Sequence, residues 1–95
     1  MKDLSQCRAE IDAIDRQIVA LFEQRMQVSR DVAAYKHAHQ INILDASREQ
    51  AVLDSRAAQV TEDALRMPAR KFFSALMRLS REEQARFLAG CEADR

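Results

Sequence analysis

Apolar residues recur along the first third of the chain in alternating steps of three and four: Leu4, Cys7, Ile11, Ile14, Ile18, Leu21, Val28, Val32 and Tyr35, with position 25 the one gap. That spacing is a heptad seam without an internal Gly or Pro, and it predicts a single helix over residues 4–39. At 1.5 Å per residue such a helix is roughly 50 Å long. A compact domain of this size has a radius of gyration of only about 12–13 Å. The helix therefore overshoots its own domain, and its seam needs a partner, most simply a second copy about a two-fold axis.

The rest of the pattern predicts two more helices. The second spans about residues 46–62, with Asp45 as N-cap and a thin stripe of Val52, Leu53, Ala57 and Val60. Pro68 suits the first turn of the third, where the N–H it lacks is not needed. That helix spans about residues 68–89, turns Phe72, Phe73, Leu76, Met77, Phe87 and Leu88 inward, and stops near Gly90 as a C-terminal cap. Residues 61–67 are then a loop and residues 91–95 a frayed tail. The expected fold class is all-α: one domain over residues 1–95, with three helices per chain and one very long N-terminal helix.

Composition narrows the function classes. Fifteen basic and fifteen acidic side chains cancel, so no global charge points to nucleic acid or an anionic membrane surface. An anionic ligand would need a local cluster of cations. Cys7 and Cys91 stand far apart without metal-type spacing and are expected to be free thiols in a reducing compartment. The charged start MKDLSQCRAEIDAID holds no apolar stretch of the kind a secretory leader carries, and a cytoplasmic location is expected.

Candidate chemistry enters where polar residues interrupt apolar faces. Arg25 fills the gap in the seam, a place where an unpaired charge costs several kcal/mol. Lys36 lies eleven residues on, rotated by only about 20° on a straight helix, so both cations lean to the same side. On the third helix Ser80 and Gln84 interrupt the inward run Phe73, Leu76, Phe87; burying them without partners would cost about 1–3 kcal/mol each. Between the first two helices, NILDASRE packs Asp45, Arg48 and Glu49 into one helical turn at spacing i, i+3, i+4. Each feature alone suits a register device, a surface ion pair or a capped turn. Together they describe a small polar pocket in a helical bundle. Its surplus of cations suits a dicarboxylate and its two acids suit a hydroxyl.

The set Arg8, Arg25, Lys36, Asp45, Arg48, Glu49, Ser80 and Gln84 resembles that of the all-helical chorismate mutases, carried most clearly by LSQCRAEIDAIDRQIVALFEQRMQVSRDVAAYK and ILDASRE. The resemblance covers roughly residues 3–88. It implies an intertwined antiparallel homodimer that rearranges chorismate to prephenate without metal, cofactor or covalent intermediate. Carried over by position, Arg25 and the partner chain's Arg8 bind the two substrate carboxylates. Lys36 and Gln84 donate to the ether oxygen, and Glu49 with Asp45 accepts from the ring hydroxyl. Ser80 assists at a carboxylate and Arg48 completes the network around the acids. The sequence departs from the family in the link between helices two and three, about one residue short and without its usual Gly, and at Arg78 and Leu79, where acids often stand.

Three other functions are weighed against this one. An isochorismate–pyruvate lyase uses a similar cationic pocket, but the presence of both Asp45 and Glu49 favours the mutase. A non-catalytic dimerisation or regulatory module would do better with Leu or Ile at Arg25, Ser80 and Gln84. A metal site at His37 and His39 is disfavoured, since i, i+2 on a helix points the rings apart.

Overall fold

The computed structural model describes residues 1–93, and these form three helices: α1 (Leu4–Ala38), α2 (Ala46–Gln59) and α3 (Asp63–Ala93). Asp3 starts α1 with a capping box: its carboxylate accepts from the Gln6 amide at 2.8 Å, and the Gln6 side chain accepts from the Asp3 amide at 3.0 Å. Gln40 ends the helix in the left-handed region, with φ 57°. The Ile41 amide then reaches back to the Lys36 carbonyl at 2.8 Å and the Gln40 amide to the His37 carbonyl at 3.2 Å. This is the six-to-one and five-to-two bonding of a Schellman cap, built here without the usual glycine. It swings the next segment back alongside the last turn of α1.

Three boundaries differ by three residues or more from those the pattern predicts. Helix α2 stops at Gln59, not near 62, because Val60 is already extended (φ −76°, ψ 125°) and its amide closes on the Ala57 carbonyl. Helix α3 begins at Asp63 rather than 68, so most of the expected 61–67 loop is helical and Pro68 lies inside the helix. Asp63 and Arg66 form an ion pair at 2.8 Å across this first turn, and Arg66 Nε donates to the Val60 carbonyl at 3.0 Å. The early start thus ties the connector down. At the other end α3 runs through Gly90 to Ala93; Gly90 has no positive φ and is not a cap. Of the expected tail, residues 91–93 are helical and 94–95 lie outside the described residues.

Helix α3 is the centre of the chain. It runs parallel to α1, with Arg25 beside Ser80 and Arg30 beside Glu83, and antiparallel to α2, with Glu49 beside Arg81 and Asp54 beside Arg70. The result is a slab of 58 × 29 × 13 Å, about one helix thick. Its radius of gyration is 16.9 Å against about 12 Å for a compact chain of this length. A single layer has little interior: Met26, Ala33, Val52, Ala57 and Met77 are its buried apolar residues, and none is a large side chain fully enclosed. The face of α1 turned to α3 carries Met26, Ser29 and Ala33, rotated away from the heptad seam. The seam itself is open, with Leu4, Ile11, Ile14, Ile18, Leu21, Val28, Val32 and Tyr35 all exposed, and so is Phe72, expected to face inward. Phe72 instead meets the half-buried Phe73 edge-on.

One ion network ties α1 to α3. Arg86 donates to Glu83 through Nε and Nη2 at 2.7 and 2.6 Å, and Arg30 Nε donates at 2.6 Å. These bonds, those of Arg86 foremost, pull the Glu83 carboxyl from its ordinary 4.5 to about 2. A carboxyl lowered on folding contributes stability that is complete above its unfolded value and is lost as pH falls through the folded one. Glu83→Gln is therefore expected to lower the melting temperature at neutral pH, with a deficit that shrinks as pH drops from 4.5 toward 2. Circular-dichroism melts of both proteins across that window check it; a deficit independent of pH would assign the contact to packing.

Candidate active site

The loop closed by the α1 cap and the three helices enclose a cavity of about 290 Å³. Ligand cavities run from about 300 to 1,000 Å³, so this one suits a small molecule. Arg25, Ser29 and Lys36 reach it from α1, Ile43 and Asp45 from the loop, Arg48, Glu49, Val52 and Arg56 from α2, and Met77, Ser80, Arg81 and Gln84 from α3. Val28 and Val32 complete its apolar lining. Seven of the eight residues singled out in the sequence line it; Arg8 does not. Arg8 is exposed on the projecting half of α1, about 25 Å along the helix from Arg25.

The polar groups are held in a definite pattern. Arg25 is half-buried and its Nη1 donates to Ser80 Oγ at 2.6 Å, so the buried Ser80 aims the guanidinium. Burial first, then the charges of Arg56 and Arg48, lower the Arg25 pKa from its ordinary value. Three guanidinium groups crowded at one end of a pocket repel one another, and an anion relieves that repulsion. Lys36 Nζ donates to the Ile43 carbonyl at 2.8 Å, which the Schellman cap brings within reach, and keeps two protons for other acceptors. Asp45 Oδ1 takes the Arg48 amide at 3.0 Å and the Ser47 hydroxyl at 2.9 Å. These two bonds lower its pKa, the backbone amide contributing most. Glu49 Oε1 accepts from Arg81 Nη1. Gln84 is buried with its Oε1 unpartnered among the described residues. An unmet buried acceptor costs about 1–3 kcal/mol, and such groups gather where a ligand supplies the missing bond.

Arg56 and Arg81 are in the cavity but absent from the sequence-derived set. Arg56 was detectable, since it follows Glu49 by seven residues and so shares its face of α2. Arg81 carries no such signal: it neighbours Ser80, rotated about 100° from it, and faces the cavity because α2 packs on that side of α3. With them the lining holds five cations and two carboxylates, an excess of three positive charges. A separate groove of about 510 Å³ between α1 and α3 contains Arg30 and Arg86, but both are paired with Glu83 and the lining adds Glu23 and Glu82, so it lacks the surplus of cations for binding an anion. Among the described residues no group of His, Cys, Asp and Glu is placed to hold a metal, and no helix is long and apolar enough to cross a membrane.

The chain that builds this cationic pocket is similar to known proteins. The T-protein of Haemophilus influenzae is 32% identical over 83 residues, covering 78% of this chain and 22% of that protein. The chain thus spans about a fifth of the length of the curated relative it matches. No solved structure matches it significantly. Residues 7–85, which contain every residue singled out above from Arg8 to Gln84, match the family described as chorismate mutase type II, and the chain belongs to that family.

Proposed function

We propose that the chain rearranges chorismate to prephenate, and that two chains share each active site. The observation that carries this is the convergence of Arg25, Lys36, Asp45, Arg48, Glu49, Ser80 and Gln84 on one cavity with a cationic surplus. The reaction is unimolecular: the ether C–O bond breaks while a C–C bond forms, and no group is exchanged with the protein. The protein's task is to hold the folded diaxial conformer and to stabilise the negative charge that grows on the ether oxygen.

Arg25, aimed by Ser80, binds one carboxylate as a charge-assisted fork, with Arg48 and Arg56 adding to the field. Lys36 donates a hydrogen bond to the ether oxygen through an N–H that Ile43 leaves free. Gln84 donates from the opposite side; a half-turn of its amide exchanges oxygen and nitrogen, so the group can turn its N–H₂ to the substrate. Glu49 Oε2, left free by Arg81, accepts from the ring hydroxyl with Asp45 Oδ2. These are ground-state contacts that select the conformer, whereas Lys36 and Gln84 act on charge present only in the transition state.

One observation and one geometric argument support a homodimer. The open seam of α1 continues into an apolar groove of about 510 Å³ lined by Ile18, Leu21, Phe72, Phe73, Leu76 and Leu79, a surface for another helix to cover. If two α1 helices pair antiparallel about their midpoints, residue 8 of one lies opposite residue 34 of the other, and the partner's Arg8 arrives beside Lys36. The second carboxylate then has its cation.

Purified protein is expected to consume chorismate, seen as loss of its absorbance, and to yield prephenate. Failure of a folded dimer to turn over chorismate overturns the proposal. Faster release of salicylate and pyruvate from isochorismate would replace it with the lyase.

A further inference from the structure

Glu49 stands between two cavities. It lines the active-site pocket, and it also lines an outer groove of about 460 Å³ on the far side, together with Arg70, Lys71 and Arg78 of α3. Its carboxylate therefore has cations on both sides, and its three rotatable bonds let it turn to either. Arg70 is committed to Asp54 at 2.6 Å, while Lys71 and Arg78 make no ion pair among the described residues. Arg81 is the other residue common to both cavities, and its guanidinium is bonded to Glu49 Oε1.

We infer that Arg81 is a positioning residue, which pins Glu49 at the wall between the cavities so that Oε2 stays turned toward the substrate hydroxyl. The inference rests on the proposed mutase activity, in which Glu49 receives that hydroxyl. Without Arg81 the outer cations draw the carboxylate away and the hydroxyl loses its acceptor. Arg81 adds no hydrogen bond to the reacting ether, so its contribution falls on substrate binding. A charge-assisted hydrogen bond of this kind corresponds to about a 10-fold effect or more.

The test is a double-mutant cycle of Arg81→Met and Glu49→Gln, with Arg81→Lys alongside and dimer folding checked by circular dichroism. Arg81→Met is expected to raise KM for chorismate about 10-fold with kcat within about threefold, because the hydroxyl contact is made equally in ground and transition states. In the Glu49→Gln background the same substitution should be silent, since the group it positions is gone. Arg81→Lys should recover part of the lost affinity through a single charged donor. An unchanged KM in Arg81→Met overturns the inference. So does an equal loss in both backgrounds, which would mean that Arg81 touches the substrate itself, or a loss of kcat alone, which would mean a smaller folded fraction. A wild-type protein without chorismate turnover is a separate outcome: it removes the proposed function, and this inference with it.

Discussion

Lys36→Ala is expected to lower kcat for the proposed rearrangement about 10²–10³-fold while leaving the fold intact, the scale of losing one donor to a developing oxyanion. The ether oxygen is nearly neutral in bound substrate and gains charge only as the C–O bond breaks. An ammonium beside it therefore favours the transition state over the ground state, and its loss falls on kcat more than on KM. The structure separates this effect from folding. Lys36 is half-buried at the pocket rim, and among the described residues its ammonium bonds only the Ile43 carbonyl, at 2.8 Å. The turn it spans is held independently by the Ile41-to-Lys36 and Gln40-to-His37 backbone bonds, which alanine keeps. Once the side chain is gone, water can reach the freed Ile43 carbonyl. Steady-state kinetics with circular-dichroism melts separate the outcomes. A raised KM with kcat within threefold of wild type would reassign Lys36 to a carboxylate and leave the ether oxygen to Gln84.

What the sequence disclosed about this site, and what it hid, follows from the range of the forces involved. The long helix was legible because nine apolar positions repeat without a breaker, and the α2 start because Asp45 is a strong cap. Pro68 and Gly90 misled, because each is a local preference of about one to three kcal/mol that neighbouring residues can override. At Pro68 the Asp63–Arg66 pair and the Arg66 bond to Val60 hold the extra turn ahead of it. The Schellman cap at Gln40 was invisible for the opposite reason: the chain adopts the left-handed φ without glycine to announce it. Seven pocket residues could be grouped because helical spacing fixes which side chains share a face. Arg81 could not, since its place depends on where α2 docks, a tertiary fact. The exposed seam of α1 marks the same boundary: helical spacing groups its residues on one face but does not name what packs on that face.

Mixing two inactive proteins tests that cover and the origin of the second carboxylate site together. Arg8→Ala and Lys36→Ala dimers should each be nearly inactive, the first because one substrate carboxylate loses its fork, the second for the reason above. Unfolded together and refolded, they are expected to regain about a quarter of wild-type activity per chain. Random pairing makes about half of the dimers mixed. In each mixed dimer the chain carrying Arg8→Ala supplies an intact Lys36 and receives an intact Arg8 from its neighbour, whereas the other site lacks both. Arg8 is exposed about 25 Å along α1 from Arg25, so no rotamer brings it to its own chain's pocket, and an intrachain site predicts no recovery at all. The proportion of mixed dimers is read by mass spectrometry with one chain isotopically labelled. Mixed dimers without activity would separate Arg8 from the shared site and require another cation, Arg56 being the one already in place, to hold the second carboxylate.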